Sequence, residues 1–180
     1  VQFPSALSTA TALKERLTCP IVLGGAHGSA LPEEVLETGV FNYVVVGEGE
    51  VAFVTLLERI EAGKSLIGIP GVATRGPKGV VVGASDFTAP VDEFLPPARH
   101  LFDMSKYINS PHSHNGRVER FPYATMITSR GCPLDCTFYS VHTVWGRNNR
   151  RRQATDVVDE IQHLVESYGV REIHFEDDML

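Results

Sequence analysis

The sequence predicts an α/β protein built in two pieces, and three observations carry that prediction. Short β-branched runs alternate with amphipathic helical runs on both sides of the chain's middle, glycines stand at the carboxyl ends of those runs, and residues 86–118 are proline-rich with little periodicity. Strands that alternate with helices form right-handed β-α-β units and a parallel sheet, here expected in each piece. Open sheets of this kind bind ligands just beyond the carboxyl ends of their strands.

Residues 10–17 read as the end of a helix, and Ile21-Val22-Leu23 as a short buried strand closed by Gly24-Gly25. Residues 32–36 read as a helix with Pro32 in its first turn and Gly39 as its stop. A second β-branched strand over residues 43–46 ends in Gly47-Glu48-Gly49-Glu50. In the helix that follows, Val51, Val54, Leu57 and Ile60 form an apolar stripe, widened by Phe53 and Leu56 and stopped at Gly63.

The pattern then changes. Residues 69–85 read as a β-hairpin with the glycine-rich turn Gly76-Pro77-Lys78-Gly79. Residues 86–118 hold Pro90, Pro96, Pro97 and Pro111 with His100, His112 and His114, and are expected to be a linker or surface segment. The irregular histidine spacing in that setting favours an exposed loop over a metal site.

The α/β rhythm resumes at Phe121. Residues 123–128 read as a strand, and 129–140 as a loop that contains Cys132 and Cys136. Residues 156–168 form an amphipathic helix with Val157, Val158, Ile161, Leu164, Val165 and Tyr168 on one stripe and Gly169 as C-cap. Residues 172–175 are the next strand, which runs into Glu176-Asp177-Asp178. The expected boundaries are 1–68 for the first piece, 69–119 for hairpin and linker, and 120–180 for the second piece.

Hydrophobic residues make up 43% of the chain and charged residues 21%, enough apolar material for a buried core. A formal net charge of -6 argues against a general binder of nucleic acid or anionic membrane. No apolar run approaches the ~20 residues that span a bilayer. With neither an initiator Met nor a signal-like segment at Val1, the expected location is cytoplasmic. Arg147, Arg150, Arg151 and Arg152 form a basic cluster, read as a solvated face or, alternatively, as an anion or substrate contact. Three cysteines imply no disulfide framework: Cys132 and Cys136 point to metal or redox chemistry, and Cys19 is expected to be a buried small hydrophobe.

Gly131-Cys132-Pro133-Leu134-Asp135-Cys136-Thr137-Phe138-Tyr139-Ser140, following a strand, resembles the cluster loop of the radical S-adenosylmethionine (SAM) superfamily. That family's pattern is Cys-x3-Cys-x-aromatic-Cys after the first strand of a partial (β/α) barrel, with thiolates holding a [4Fe-4S] cluster. The resemblance implies that SAM chelates the open iron and is cleaved by one electron to a 5′-deoxyadenosyl radical. The flanking segments, Thr128-Ser129-Arg130 before the loop and Val141 to Arg147 after it, extend the match. The resemblance also gives Phe138 a place near the SAM adenine, and the strand end with Glu176, Asp177 and Asp178 a place at the SAM amino group. The alternative for Asp177 and Asp178 is a solvated cap or turn.

Upstream, Val22-Leu23-Gly24-Gly25-Ala26-His27 and Val45-Val46-Gly47-Glu48-Gly49-Glu50 resemble the late half of the cobalamin-binding domain that precedes the barrel in one radical SAM subfamily. The resemblance implies that Gly24, Gly25, Gly47, Glu48 and Gly49 line the nucleotide tail of cobalamin. Glycine there lets backbone approach a bulky ligand. His27 follows a later strand and is not expected to ligate cobalt.

By this resemblance the chain is the C-terminal part of a Rossmann-like cobalamin-binding domain followed by the first β-α-β unit of a radical SAM barrel. It is expected to be cut at both ends. The implied cofactors are a [4Fe-4S] cluster, SAM and cobalamin, and the implied activity is methyl transfer or other radical chemistry on an unknown substrate. Tyr139 occupies the third cysteine position, where a phenol of pKa about 10 is a poor replacement for a thiolate. That departure leaves open a second reading, a non-catalytic remnant that keeps a scaffold or cobalamin-binding role. A third takes Cys132, Cys136 and His142 as part of a zinc site.

Overall fold

The computed structural model describes residues 2–85, 87, 89–110 and 116–179, so His112 and His114 lie outside the described residues. The chain divides into two compact units. One comprises Val1–Thr88 with Asp135–Gly146, and the other Ala89–Leu134 with Arg147–Leu180.

The first unit opens with helix α1 (Phe3–Lys14), with Pro4 in its first turn, where a missing N–H costs nothing. Strand β1 (Val22–Leu23) leads through two short helices, α2 (Ala26–Ala30) and α3 (Pro32–Glu37), to strand β2 (Tyr43–Val45). The two strands pair in parallel, Val22 with Tyr43 and Leu23 with Val44. Helix α4 (Gly49–Glu61) follows, then the hairpin of β3 (Val72–Gly76) and β4 (Gly79–Val82).

The hairpin does not stand apart with the linker, as the sequence suggested. β3 pairs antiparallel with β2 and adds two strands to the first sheet, which runs β1-β2-β3-β4 and is mixed rather than wholly parallel. The first unit therefore continues to residue 88 instead of ending at 68.

Alternation along the strands sends neighbouring residues to opposite faces. Val44 and Ala73 join Ala10, Val35, Leu36 and Phe41 on one face, while Val45 and Val72 join Ala52, Leu56 and Ile69 on the other. The stripe expected on α4 is displaced by this packing. The helix buries Ala52 and Leu56 and packs Ile60 against the same core, an i, i+4, i+8 face. Val51, Val54 and Leu57, the bulkier residues that suggested the stripe, are exposed.

In the second unit, residues 89–110 are more than a surface linker. They form three short 3₁₀ turns (Val91–Glu93, Arg99–Leu101 and Met104–Lys106), and Val91 and Ile108 are buried. His100 is exposed, as expected. Strand β5 (Tyr123–Met126) pairs in parallel with β8 (Glu172–Phe175), and helix α6 (Ala154–Tyr168) connects them. That is the expected β-α-β unit. Ala124, Met126, Leu164 and Val170 form its core with Ile108, and Val157, Ile161, Tyr168 and Ile173 pack around it. Val158 and Val165, predicted on the same stripe, are exposed instead. Gly169 ends α6 in the left-handed conformation, φ 66°, which glycine adopts without strain.

A small antiparallel ribbon of β6 (Ser129–Arg130) and β7 (Arg150–Arg151) extends this unit, with two-residue strands too short to show a pattern in the sequence. Helix α5 (His142–Trp145), which follows the cysteine loop, belongs to the first unit and lies against α2. Cys19 is exposed, not buried, because it falls in the turn between α1 and β1.

Candidate functional site

Beyond the last paired residues of β1 and β2, Leu23 and Val44, the backbone turns through the two glycine segments. Gly25 has φ 88°, and a Cβ placed on it would meet nothing within 4 Å, so its backbone borders open space. Gly24 and Gly49 would make only ordinary contacts with Val45. Gly47, at φ 78°, differs: a Cβ there would lie 2.7 Å from the Phe87 ring. The close approach that calls for glycine at 47 is therefore made by Phe87. The same ring closes on Gly146, where a Cβ would lie 2.8 Å away. Glu48 is the extended residue that enters α4.

Ser29 ties the glycine segments together. Its hydroxyl donates to the Gly25 carbonyl at 3.0 Å and accepts the Gly47 amide at 2.9 Å. His27 stacks on Phe3 with ring centroids 3.9 Å apart and lies 3.7 Å from Glu34, so its surroundings are those of a packing residue.

The cysteine loop passes from one unit to the other. Cys132 is buried in the second unit; Cys136, Phe138 and Tyr139 belong to the first. Phe138 is 87% exposed, which leaves its ring and backbone open to a ligand. The Tyr139 amide donates weakly to the Cys136 carbonyl at 3.4 Å. Among the described residues no three His, Cys, Asp or Glu side chains gather so as to hold a metal ion. Nor do two thiols and a phenol supply three thiolates. The donor set does not fit a [4Fe-4S] cluster.

At the carboxyl end of β8 the three acidic residues have different surroundings. Asp177 is the anchor of a clamp: its Oδ1 accepts the Thr128 amide at 3.0 Å, the Thr128 hydroxyl at 2.9 Å and the Ser129 hydroxyl at 2.6 Å, with the Ser129 amide also directed at it. Neither a solvated cap nor an open ligand position describes that carboxylate. Glu176 uses its amide on the Met126 carbonyl at 2.8 Å. Its Oε1, by contrast, is buried and has no hydrogen-bond partner among the described residues. A buried carboxylate oxygen without a donor is costly, and a bound cation or ammonium would relieve it. Asp178 is half-buried beside them.

The arginine cluster separates in the same way. Arg152 lies 2.6 Å from Glu160 Oε2, and Arg99 lies 2.6 Å from Oε1. Glu160 is 3% exposed, so this is a buried three-charge group and not a solvated face. Arg150 donates to the Ala89 carbonyl at 3.0 Å, and Arg151 and Arg147 are exposed. Sequence reasoning missed Ser29 and Phe87 and gave Glu160 no role of its own. The signal for Glu160 was present: it falls on the buried face of α6, between Val157 and Leu164, where a carboxylate demands a basic partner.

No family model matches the chain. Individual proteins do. The chain is 31% identical to the cytidylyl-2-hydroxyethylphosphonate methyltransferase of Streptomyces wedmorensis, over 87% of this chain and 33% of that protein. It is 30% identical to the hopanoid C-3 methylase of Methylococcus capsulatus, over 91% of this chain and 30% of that one. It thus spans about a third of the length of these curated relatives.

Among solved structures, its fold matches the radical SAM methyltransferase TsrM of Kitasatospora setae, determined with cobalamin and a [4Fe-4S] cluster bound. The TM-score is 0.68 at 22% identity, over 98% of this chain and 34% of that one. The cobalamin-dependent SAM radical enzyme OxsB, with aqua-cobalamin bound, matches at TM-score 0.71 and 21% identity, over 96% of this chain and 23% of that one. Over the stretch it spans, the chain thus shares the fold of these two solved structures and about 30% of its residues with the two curated methyl-transferring enzymes.

Proposed function

We propose that this chain is part of a cobalamin-dependent radical SAM enzyme that acts in methyl transfer or related radical chemistry. The observation that supports this reading best is the extent of its match to curated methyltransferases, which runs through both units. The first unit is then the cobalamin-binding part. Gly24 and Gly25 present bare backbone to the nucleotide tail, Gly25 beside open space, and Gly47 is held across from them by Ser29. Cobalamin bound there supplies a methyl carrier.

In the second unit Glu176 takes the SAM amino group on its unpartnered Oε1, and Asp177 fixes the strand end that carries it. Phe138 offers an exposed surface to the adenine. The substrate is recognised outside these residues.

One observation favours a second reading. With Tyr139 in place of the third thiolate, the chain is a cobalamin-binding scaffold without cluster chemistry of its own. An anaerobic sample distinguishes the two. Reconstituted with iron and sulfide, then given hydroxocobalamin and desalted, the Tyr139→Cys variant is a brown protein that retains corrinoid on the enzyme reading. The scaffold reading predicts corrinoid alone. A chain that retains neither overturns both.

A further inference from the structure

We infer that Ser29 is the positioning residue of the cobalamin cradle, the strut that fixes the separation of its two glycine segments. The inference rests on the cobalamin-binding reading of the first unit. Glycines have no side chain, so a cradle made of them is shaped by whatever holds the backbone. β1 and β2 stop pairing at Leu23 and Val44, and no ladder reaches Gly25 or Gly47.

Ser29 takes over where the ladder ends. Its single hydroxyl proton goes to the Gly25 carbonyl at 3.0 Å, and a lone pair receives the Gly47 amide at 2.9 Å. The Ser29 amide also donates to the Gly25 carbonyl at 3.0 Å, so the serine is held to that segment twice and to Gly47 once. The side chain is buried, and water does not readily replace it. Its reach depends on Gly28. A Cβ at 28 would lie 2.9 Å from Val44 Cγ1, so only glycine lets α2 press against β2 closely enough for Ser29 to meet the Gly47 amide.

Removing the hydroxyl leaves the Gly25 carbonyl with one donor but deprives the Gly47 amide of its acceptor. The Gly47 segment then keeps the ties of Val46 to Gly71 and Ser85 but loses its tie to Gly25, and a ligand that spans both must restore their separation on binding. The loss falls on affinity more than on global stability.

The test is equilibrium dialysis of hydroxocobalamin against the wild-type chain, Ser29→Ala and Ser29→Thr, with hydrogen exchange of the Gly47 amide and a thermal melt on each. Ser29→Ala is expected to weaken binding about tenfold and to speed Gly47 exchange. Across the three proteins, affinity is expected to track Gly47 protection. A control, Leu56→Ala, lowers the melting temperature through the core and leaves the affinity of the folded protein unchanged. Equal affinity in Ser29→Ala and a wild type that binds sinks the inference alone. So does an affinity loss without a change at Gly47. A wild type that takes up no cobalamin removes the cobalamin-binding reading and this inference with it, while Gly47 exchange still reports whether the strut exists.

Discussion

The carboxylate of Asp177 accepts the hydroxyl of Ser129 at 2.6 Å across 48 positions of sequence. With the Thr128 amide and hydroxyl on the same oxygen, it locks the end of β8 to the turn that leaves β5. Both parallel strands therefore end in one fixed hydrogen-bonded unit, just before the residues that lead into the cysteine loop.

That arrangement predicts a stability cost. Hydrogen bonds to an ionised carboxylate contribute about 1.5–3 kcal/mol each, and donors left without an acceptor add to the loss. Asp177→Ala should lower unfolding stability by about 3 kcal/mol, and Asp177→Asn, which keeps one acceptor, by about half as much. Urea unfolding is the measurement: the midpoint should fall in that order at constant slope. A midpoint unchanged in Asp177→Ala would mean that the clamp adds nothing.

Glu160 carries a larger penalty because it is buried and its two partners are largely covered. Arg99 and Arg152 have side chains 13% and 14% exposed, and each lies 2.6 Å from the carboxylate. Breaking a buried ion pair from one side strands the other charge, at a cost of about 3–5 kcal/mol. Glu160→Ala takes the carboxylate from two arginines, of which Arg152 keeps the Ile127 carbonyl at 3.1 Å, and should fall within that range. A combined Arg99→Met, Glu160→Leu, Arg152→Met variant removes all three charges together. It should be far more stable than Glu160→Ala alone, and chemical denaturation of both proteins tests this.

Much of this architecture was legible because it rests on backbone alternation and glycine. The β-α-β unit of β5, α6 and β8, its C-cap at Gly169 and the parallel pairing of β1 with β2 all follow from periodicities that the sequence displays. What stayed hidden depended on contacts distant in sequence. The hairpin joined the first sheet because β2 had an open edge, which no local pattern records. The buried face of α4 was masked because Ala52 is small, while the larger Val51 and Val54 drew attention to the wrong side. At the site, the two cysteines and the acidic run were visible as residue types. The division of labour between Glu176 and Asp177 was not, since it is set by Thr128 and Ser129 about fifty positions earlier.

Glu172 makes a pH prediction. The hydrogen bond from His174, at 2.5 Å, is the largest cause that holds its carboxyl below the ordinary carboxylate value, and the amides of Arg120 and Glu119 add to it. A carboxyl whose pKa is depressed on folding stabilises the folded state above its unfolded pKa, and the contribution is lost as pH falls through the folded value. Stability should thus decline on acidification below about 4.5, the ordinary glutamate value. Glu172→Gln should remove that part of the decline and leave a flatter curve. Thermal melts of both proteins between neutral and acid pH supply the comparison, and parallel curves would count against the assignment.

Tyr139 sets the last prediction. Cluster assembly in this loop requires three thiolates at Cys-x3-Cys-x2-Cys spacing, and only Cys132 and Cys136 supply them. Tyrosinate binds iron in some haem proteins, but it is a hard oxygen donor on a longer side chain, and cluster iron favours soft sulfur. A phenol with a reference pKa near 10 is also almost wholly protonated at neutral pH. Anaerobic reconstitution with iron and sulfide should therefore give the natural chain a substoichiometric cluster, lost on desalting. Tyr139→Cys should raise iron and sulfide content toward four of each per chain, the composition of a full [4Fe-4S] cluster, with the broad visible absorption that accompanies it. Because Tyr139 is 42% exposed, the substitution leaves no core cavity, and a similar melting temperature for the two apo proteins would exclude misfolding as the cause of any difference. Were the natural chain to hold a full four-iron cluster through desalting, Tyr139 or a ligand from elsewhere would have to complete it. The defect assigned to this position would then not exist.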